Sequence, residues 1–148
     1  MVLLSKILVL YCSQSGNTEK MANAVAEGAK SIAASDVELN YHTKADELAN
    51  FDAIILGAPT YHHDMPIEMK KLFETSATKG INLKGKVGAT FGSFGWSGEA
   101  PKLLQEIMKN KFEMKVITPP LLVKYVPDKI ALDKCQRLGR TIAETLIP

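Results

Sequence analysis

Apolar and polar positions along this chain switch repeatedly between a strand-like and a helix-like rhythm. Ile7 to Tyr11 is a continuous apolar run of strand length, and Val37 to His42, Asp52 to Ala58, Lys86 to Phe91 and Met114 to Tyr125 are four further β-rich runs. Unbroken apolar runs of this length fit strands covered on both faces. Between the first two runs, Met21, Ala22, Val25, Ala26, Ala29, Ile32 and Ala33 recur at helical spacing, with Glu19, Lys20, Glu27 and Lys30 on other faces. That pattern predicts an amphipathic helix. Shorter patterns of the same kind cover Lys44 to Ala49, Ile67 to Ala77, Ala100 to Lys111 and Ile130 to Leu146, each following a strand. Parallel neighbours need crossover connections and helices supply them, so the order predicts an α/β fold. The expected form is a doubly wound, five-stranded parallel sheet with helices on both faces. Pro119-Pro120, inside the fifth run, predicts a bend or break, because proline has no N–H to give to a ladder.

A length of 148 residues suits one domain spanning 1–148, with enough chain to bury a substantial core. Hydrophobic residues at 46% and charged residues at 23% are ordinary for a globular chain. The 18 basic and 16 acidic residues are spread evenly, leaving a net charge of +2 that points to neither nucleic acid nor a membrane surface. Cys12 and Cys135 have no CxxC partner and no nearby histidine at ligand spacing, which argues against a disulfide framework or a zinc site and fits a cytoplasmic protein with free thiols. The opening Met1-Val2-Leu3-Leu4 through Tyr11 resembles the core of a signal peptide, but Lys6 interrupts it and no small-residue cleavage pattern follows, so it reads as a buried strand. No later apolar run approaches the roughly 20 residues of a spanning helix.

Ligands of open α/β sheets bind beyond the carboxyl ends of the strands. Three loops there carry candidate chemistry. Ser13-Gln14-Ser15-Gly16-Asn17-Thr18 joins the first strand to the first helix, where backbone N–H groups, short polar side chains and a glycine suit a phosphate. The loop lacks the GxxxxGK[ST] lysine and hydroxyl pair, which argues against a nucleoside triphosphatase and for a monophosphate. Turn chemistry and helix capping are the plainer account of the same letters. After the third strand, Pro59-Thr60-Tyr61-His62-His63 offers a rigid proline, an aromatic face and polar groups. After the fourth, Ser93-Phe94-Gly95-Trp96-Ser97-Gly98 interleaves glycines with aromatics. Glycines let backbone approach a flat ligand, while Tyr61 or Trp96 covers its face, so the loops together suit a planar heterocycle.

These residues carry a resemblance. The first loop resembles the Thr/Ser-x-Thr/Ser-Gly-Asn-Thr phosphate loop of flavodoxins, and the likeness runs along essentially the whole chain. Phe91 to Ala100, reading FGSFGWSGEA, and Pro119 to Pro127, reading PPLLVKYVP, resemble the flavodoxin domain of flavodiiron proteins. The resemblance implies a flavodoxin-like sheet in the order 2-1-3-4-5 and a non-covalent FMN. It implies the phosphate at Ser13, Gln14, Ser15, Gly16, Asn17 and Thr18, and the ring between Pro59, Thr60, Tyr61, His62 and His63 on one side and Ser93, Phe94, Gly95, Trp96, Ser97 and Gly98 on the other. It further implies redox partner proteins, with a reductase as donor and a diiron protein as a candidate acceptor. Two departures stand out. The pI near 8.5 contrasts with the acidic character of many flavodoxins. Asp64 stands where flavodiiron relatives often carry the glycine of a Tyr-Asn-Asn-Gly-like stretch, a position that bears on flavin potentials.

Three functions are compatible with this reading. The first is an FMN electron carrier whose residues tune the flavin and perform no catalytic step of their own. The second is an FMN-dependent NAD(P)H or quinone reductase, which needs a substrate pocket over the ring, often completed by a second subunit. The third is a non-redox binding module of the same fold. His62-His63-Asp64 is not read as a metal site, because adjacent extended residues point apart and no further ligands cluster there. With only His42, His62 and His63, the chain has no set of ligands for two irons. Cys12 reads as a small packing residue, and Lys109, Lys111 and Lys115 as a solvated face.

Overall fold

The computed structural model describes residues 4–61 and 63–147. The elements follow in the order β1 (Ser5–Tyr11), α1 (Asn17–Lys30), β2 (Ser35–Asn40), α2 (Ala45–Leu48), β3 (Ala53–Gly57), α3 (Ile67–Thr78), β4 (Val87–Phe94), α4 (Glu99–Glu106), β5 (Lys115–Val116), β6 (Leu121–Lys124) and α5 (Lys129–Thr145). A π turn over Ile107–Lys111 continues α4. All strand pairs are parallel and the sheet order is β2-β1-β3-β4-β5, with β6 also paired to β4. The predicted fifth strand is thus two pieces. β5 pairs with the start of β4 and β6 with its end, separated by the segment that holds Pro119 and Pro120. The apolar opening Met1-Val2-Leu3 lies outside the described residues.

The sheet's centre explains the unbroken apolar runs. Along β1, Ile7 and Val9 pack with α1 and α5, while Leu8 and Leu10 pack with α3 and α4. Side chains alternate across a strand, so a strand covered on both faces must be apolar at every position. Each large side chain buried in this way contributes about 1.5–3 kcal/mol. On the first face α1 and α5 meet backbone to backbone. A Cβ on Gly28 would lie 1.8 Å from the Gln136 carbonyl oxygen, and one on Gly139 would lie 1.9 Å from that of Val25. Two glycines therefore set the spacing of this helix pair.

Sequence periodicity misplaces several ends, among them those of β2, which spans Ser35–Asn40 and not Val37 to His42. α1 starts at Asn17, one turn before its first apolar position. β4 runs to Phe94, past the expected end at Phe91, because β6 pairs in register with Phe91 through Phe94. Gly92, Ser93 and Phe94, read from the sequence as loop, are strand.

Candidate functional site

β1 ends at the centre of the sheet and turns into α1 through Ser13–Gly16. Gly16 is the N-cap of α1 with φ +89°, a left-handed conformation that glycine takes without strain. A Cβ there would meet nothing within 4 Å, so the loop opens outward at this point. The Ser13 Oγ accepts from the backbone N–H of Gly16 at 3.1 Å and of Glu19 at 3.3 Å. Both its acceptor sites are then used and its O–H remains to donate. Asn17 N–H reaches the Ser15 Oγ only at 3.5 Å. Among the described residues, the N–H groups of Gln14, Ser15 and Thr18 meet no acceptor. Unpaired donors at a helix start, with the positive end of the helix dipole behind them, make an anion cradle. Thr18 is 1% exposed, and its Oγ1 accepts from the Ser93 N–H at 3.3 Å, which ties the cradle to the end of β4.

The other two walls come from the ends of β3 and β4. Tyr61 and Asp64 exchange both backbone hydrogen bonds at 2.8 Å, closing a tight turn in which His63 has φ +63°. The Asp64 carboxylate accepts from Met65 N–H at 2.8 Å and from Lys70 Nζ. These contacts hold its pKa below the ordinary value. The Thr60 Oγ1 accepts from Ala100 N–H at 3.0 Å, joining this loop to the start of α4. A second link is His63 Nδ1 to Glu99 Oε1 at 3.1 Å, with the Ser97 Oγ 3.3 Å from the same nitrogen. Hydrogen bonds from Ser97 and His63 hold the Glu99 carboxyl low.

Between these walls lies a cleft of about 290 Å³. Of the residues expected from the sequence, Ser13, Gln14, Ser15, Asn17, Thr18, Pro59, Thr60, Tyr61, Ser93, Phe94 and Gly95 line it. Gly16 shapes the turn behind them. Trp96 is 91% exposed and stands off the cleft, and His63, Ser97 and Gly98 sit on the rim of the two loops. His62 lies outside the described residues. Tyr125 was not expected from the sequence and also lines the cleft. It has φ +60°, donates its N–H to the Phe94 oxygen at 2.7 Å and accepts from the Ser93 Oγ at 2.6 Å. Its signal in the sequence was its place at the carboxyl end of a strand beside the phosphate loop's own. Cys12 opens on a neighbouring cavity of about 450 Å³ that shares Tyr61. Burial, then the Glu68 charge, pushes its thiol up to about 11, the wrong direction for a nucleophile.

An anion cradle at the centre of a 2-1-3-4-5 sheet, sharing residues with an aromatic-walled cleft, narrows the choice of family. The sequence profile of the flavodoxin family matches residues 9–139. This chain belongs to the flavodoxin family. An archaeal flavodoxin structure superposes with a TM-score of 0.86 at 41% identity, covering 95% of this chain and 97% of that one. Oxidised flavodoxin 1 from Bacillus cereus gives a TM-score of 0.87 at 29% identity, over 97% and 100% of the two chains. Among curated relatives, the flavo-diiron protein FprA2 of Clostridium acetobutylicum is 31% identical over 95% of this chain but 36% of its own length. The rubredoxin-oxygen oxidoreductase of Megalodesulfovibrio gigas is 31% identical over 96% of this chain and 36% of its own. The chain thus spans about a third of the curated relatives it matches.

Family membership makes FMN the cofactor of this domain. The site fits that cofactor on its own terms. It has free N–H groups and an outward-opening glycine at the start of α1, chemistry that suits a phosphate, and Tyr61 and Tyr125 on the same cleft. Among the described residues no group of three or more His, Cys, Asp or Glu side chains is placed to hold a metal ion, and no helix is long and apolar enough to cross a membrane.

Proposed function

We propose that residues 1–148 form one flavodoxin-like domain that works in the cytoplasm, taking one or two electrons from a reductase and passing them to a redox partner protein. Its FMN phosphate is held at Ser13–Thr18. The ring lies between the Pro59–His63 loop, His62 included, and the Ser93–Gly98 loop, with Trp96 free to fold over it. The observation that carries this reading is that the Gln14, Ser15 and Thr18 N–H groups are unpaired beside the open Gly16 turn, in residues that line a cleft together with two tyrosines.

FMN, when bound, supplies a ring that accepts and returns electrons. The chain's own part is binding and orientation. The α1 N-terminus and the Ser13, Ser15 and Thr18 hydroxyls meet the phosphate, the aromatic walls exclude water from the ring, and backbone at Gly95 allows close approach. A helix terminus contributes only about 0.3–1 kcal/mol to a nearby charge, so several N–H groups share the phosphate. The relatives named flavo-diiron proteins point to a diiron protein as the acceptor class. Residues 1–148, with three histidines in all, do not themselves supply the ligands of a diiron centre.

The test is a visible spectrum of the purified protein, incubated with FMN and reduced stepwise without oxygen. Flavin bands that appear, bleach and return reversibly support the carrier. Bleaching by NADH or NADPH with no added reductase would favour a direct reductase instead. A protein that never retains FMN would leave only a binding module of this fold.

A further inference from the structure

His63 and Glu99 are 36 positions apart in the chain, yet their side chains meet at 3.1 Å. His63 belongs to the loop after β3, and Glu99 is the first residue of α4, directly after the loop that follows β4. Their contact closes the two loops on each other at the cleft's rim. Each partner is presented by its own support. The Tyr61–Asp64 backbone pair holds the turn that carries His63, and Asp64 is in turn held by Met65 N–H and Lys70 Nζ. A left-handed φ of +63° is uncommon for a residue with a side chain, so this imidazole is displayed at a backbone cost that neighbouring contacts maintain. On the other side, Glu99 begins a helix and keeps one oxygen, Oε2, buried without a partner, so the carboxylate has unused capacity to accept.

We propose that His63 and Glu99 form a titratable clasp that positions the two flavin loops, so that the protein holds FMN less tightly as the imidazole loses its proton. The inference rests on the cleft being the FMN site. A protonated imidazole makes the contact a charge-assisted pair. A neutral one leaves a single hydrogen bond if its proton is on Nδ1, and two opposed acceptors if it is on Nε2. The other charged groups on the elements meeting here are Asp64 and Lys70, bound to each other, Glu68 in the first turn of α3 with Lys71 and Glu74 further along it, and Lys102 and Glu106 on α4. Among the described residues, Glu99 is the one charged group in contact with the His63 imidazole. His62, the chain neighbour, is a further titratable group.

The test is the FMN dissociation constant of the whole protein, read by quenching of FMN fluorescence across a pH series, for wild type, His63→Asn, Glu99→Gln, the double variant and His62→Gln. Asparagine tolerates the left-handed backbone and does not titrate. Between about pH 5.5 and pH 8, the wild-type constant is expected to rise roughly two- to fivefold more than in either clasp variant, the range of an exposed charge pair. The double variant is expected to match the single ones in its dependence on pH, and His62→Gln, whose affinity itself changes with the ring loop, to keep the wild-type dependence on pH. Titration of the FMN phosphate is common to all five proteins and cancels. Superimposable profiles for wild type and His63→Asn, or a profile that flattens with His62→Gln and not with His63→Asn, overturn the clasp while leaving the flavin site standing. A wild-type protein that binds no FMN at any pH removes the reading of the cleft and the clasp with it.

Discussion

Replacing Gly16 with alanine tests the phosphate cradle, because this one methyl group acts through a known backbone constraint. At φ +89° a Cβ costs about 1–2 kcal/mol, although nothing lies within 4 Å for it to strike. The free loop can relax toward a negative φ and shed that strain. FMN phosphate would then have to restore the left-handed turn, and the cost would appear as weaker binding. At about 1.4 kcal/mol per tenfold, the dissociation constant should rise roughly five- to thirtyfold. Gly80 provides a matched control. It has φ +66° and open space around it, but follows α3 at the opposite end of the sheet from the cleft. Gly80→Ala should lower the urea midpoint by a similar strain and leave FMN affinity unchanged. The assay is fluorescence titration of FMN into both apoproteins beside wild type, with urea unfolding of each. If Gly16→Ala binds FMN as tightly as wild type while Gly80→Ala unfolds early, the backbone at Gly16 does not hold the phosphate and the cradle argument is wrong.

Three further predictions concern stability and reactivity. Gly139→Ala puts a methyl 1.9 Å from the Val25 oxygen, and parting α1 from α5 should cost about 1–3 kcal/mol, more than offsetting the roughly 1 kcal/mol that alanine gains in a helix. A melting temperature at or above wild type would refute the backbone contact. With its thiol near 11 rather than the ordinary 9.0, Cys12 should react with iodoacetamide at about pH 8 roughly a hundredfold more slowly than an exposed thiol. Cys135, buried and pushed up to about 12, should stay unreactive until the protein unfolds, which mass spectrometry of alkylated protein checks. Asp64 and Glu99 are both held below their ordinary values of 3.8 and 4.5, so each adds stability that is complete above those values and is lost as pH falls through the lowered ones. Asp64→Asn should therefore flatten the acid limb of the urea midpoint against pH, and an unchanged limb would count against the Lys70 and Met65 contacts.

Much of the fold was legible because burial on both faces leaves a plain mark. β1 and β3 are apolar at successive positions, and the helices between them repeat at their own period. What was not legible depends on distant partners. Nothing local in Gly92 and Ser93 marks them as strand. They are strand because Leu122 and Val123, thirty residues later, pair with them. The first turn of α1 is polar and so invisible to apolar periodicity, although its loop letters pointed to an anion-binding turn there. Tyr125 was passed over for the same kind of reason as Gly92. It stands on the cleft through β6 and through backbone bonds to Phe94 and Ser93, none of which is written in its immediate neighbours. Trp96 and Tyr61 were equal candidates as ring covers from composition. The structure places Tyr61 on the cleft wall and leaves Trp96 in solvent.

The split between β5 and β6 also bears on how molecules of this protein behave toward one another. An open sheet ends in unpaired N–H and C=O groups that any extended chain can join. On this side a newcomer would find two strand residues, then a break carrying two prolines without N–H groups, then four more. On the opposite side β2 turns Asp36 and Glu38 outward, and like charges on a second copy would repel. Neither margin offers a long, regular, uncharged template. The interruption that lets β6 carry Tyr125 to the cleft thus also guards the sheet against edge-to-edge aggregation, and a variant that repaired it into one continuous strand would be expected to pack better locally and to precipitate sooner.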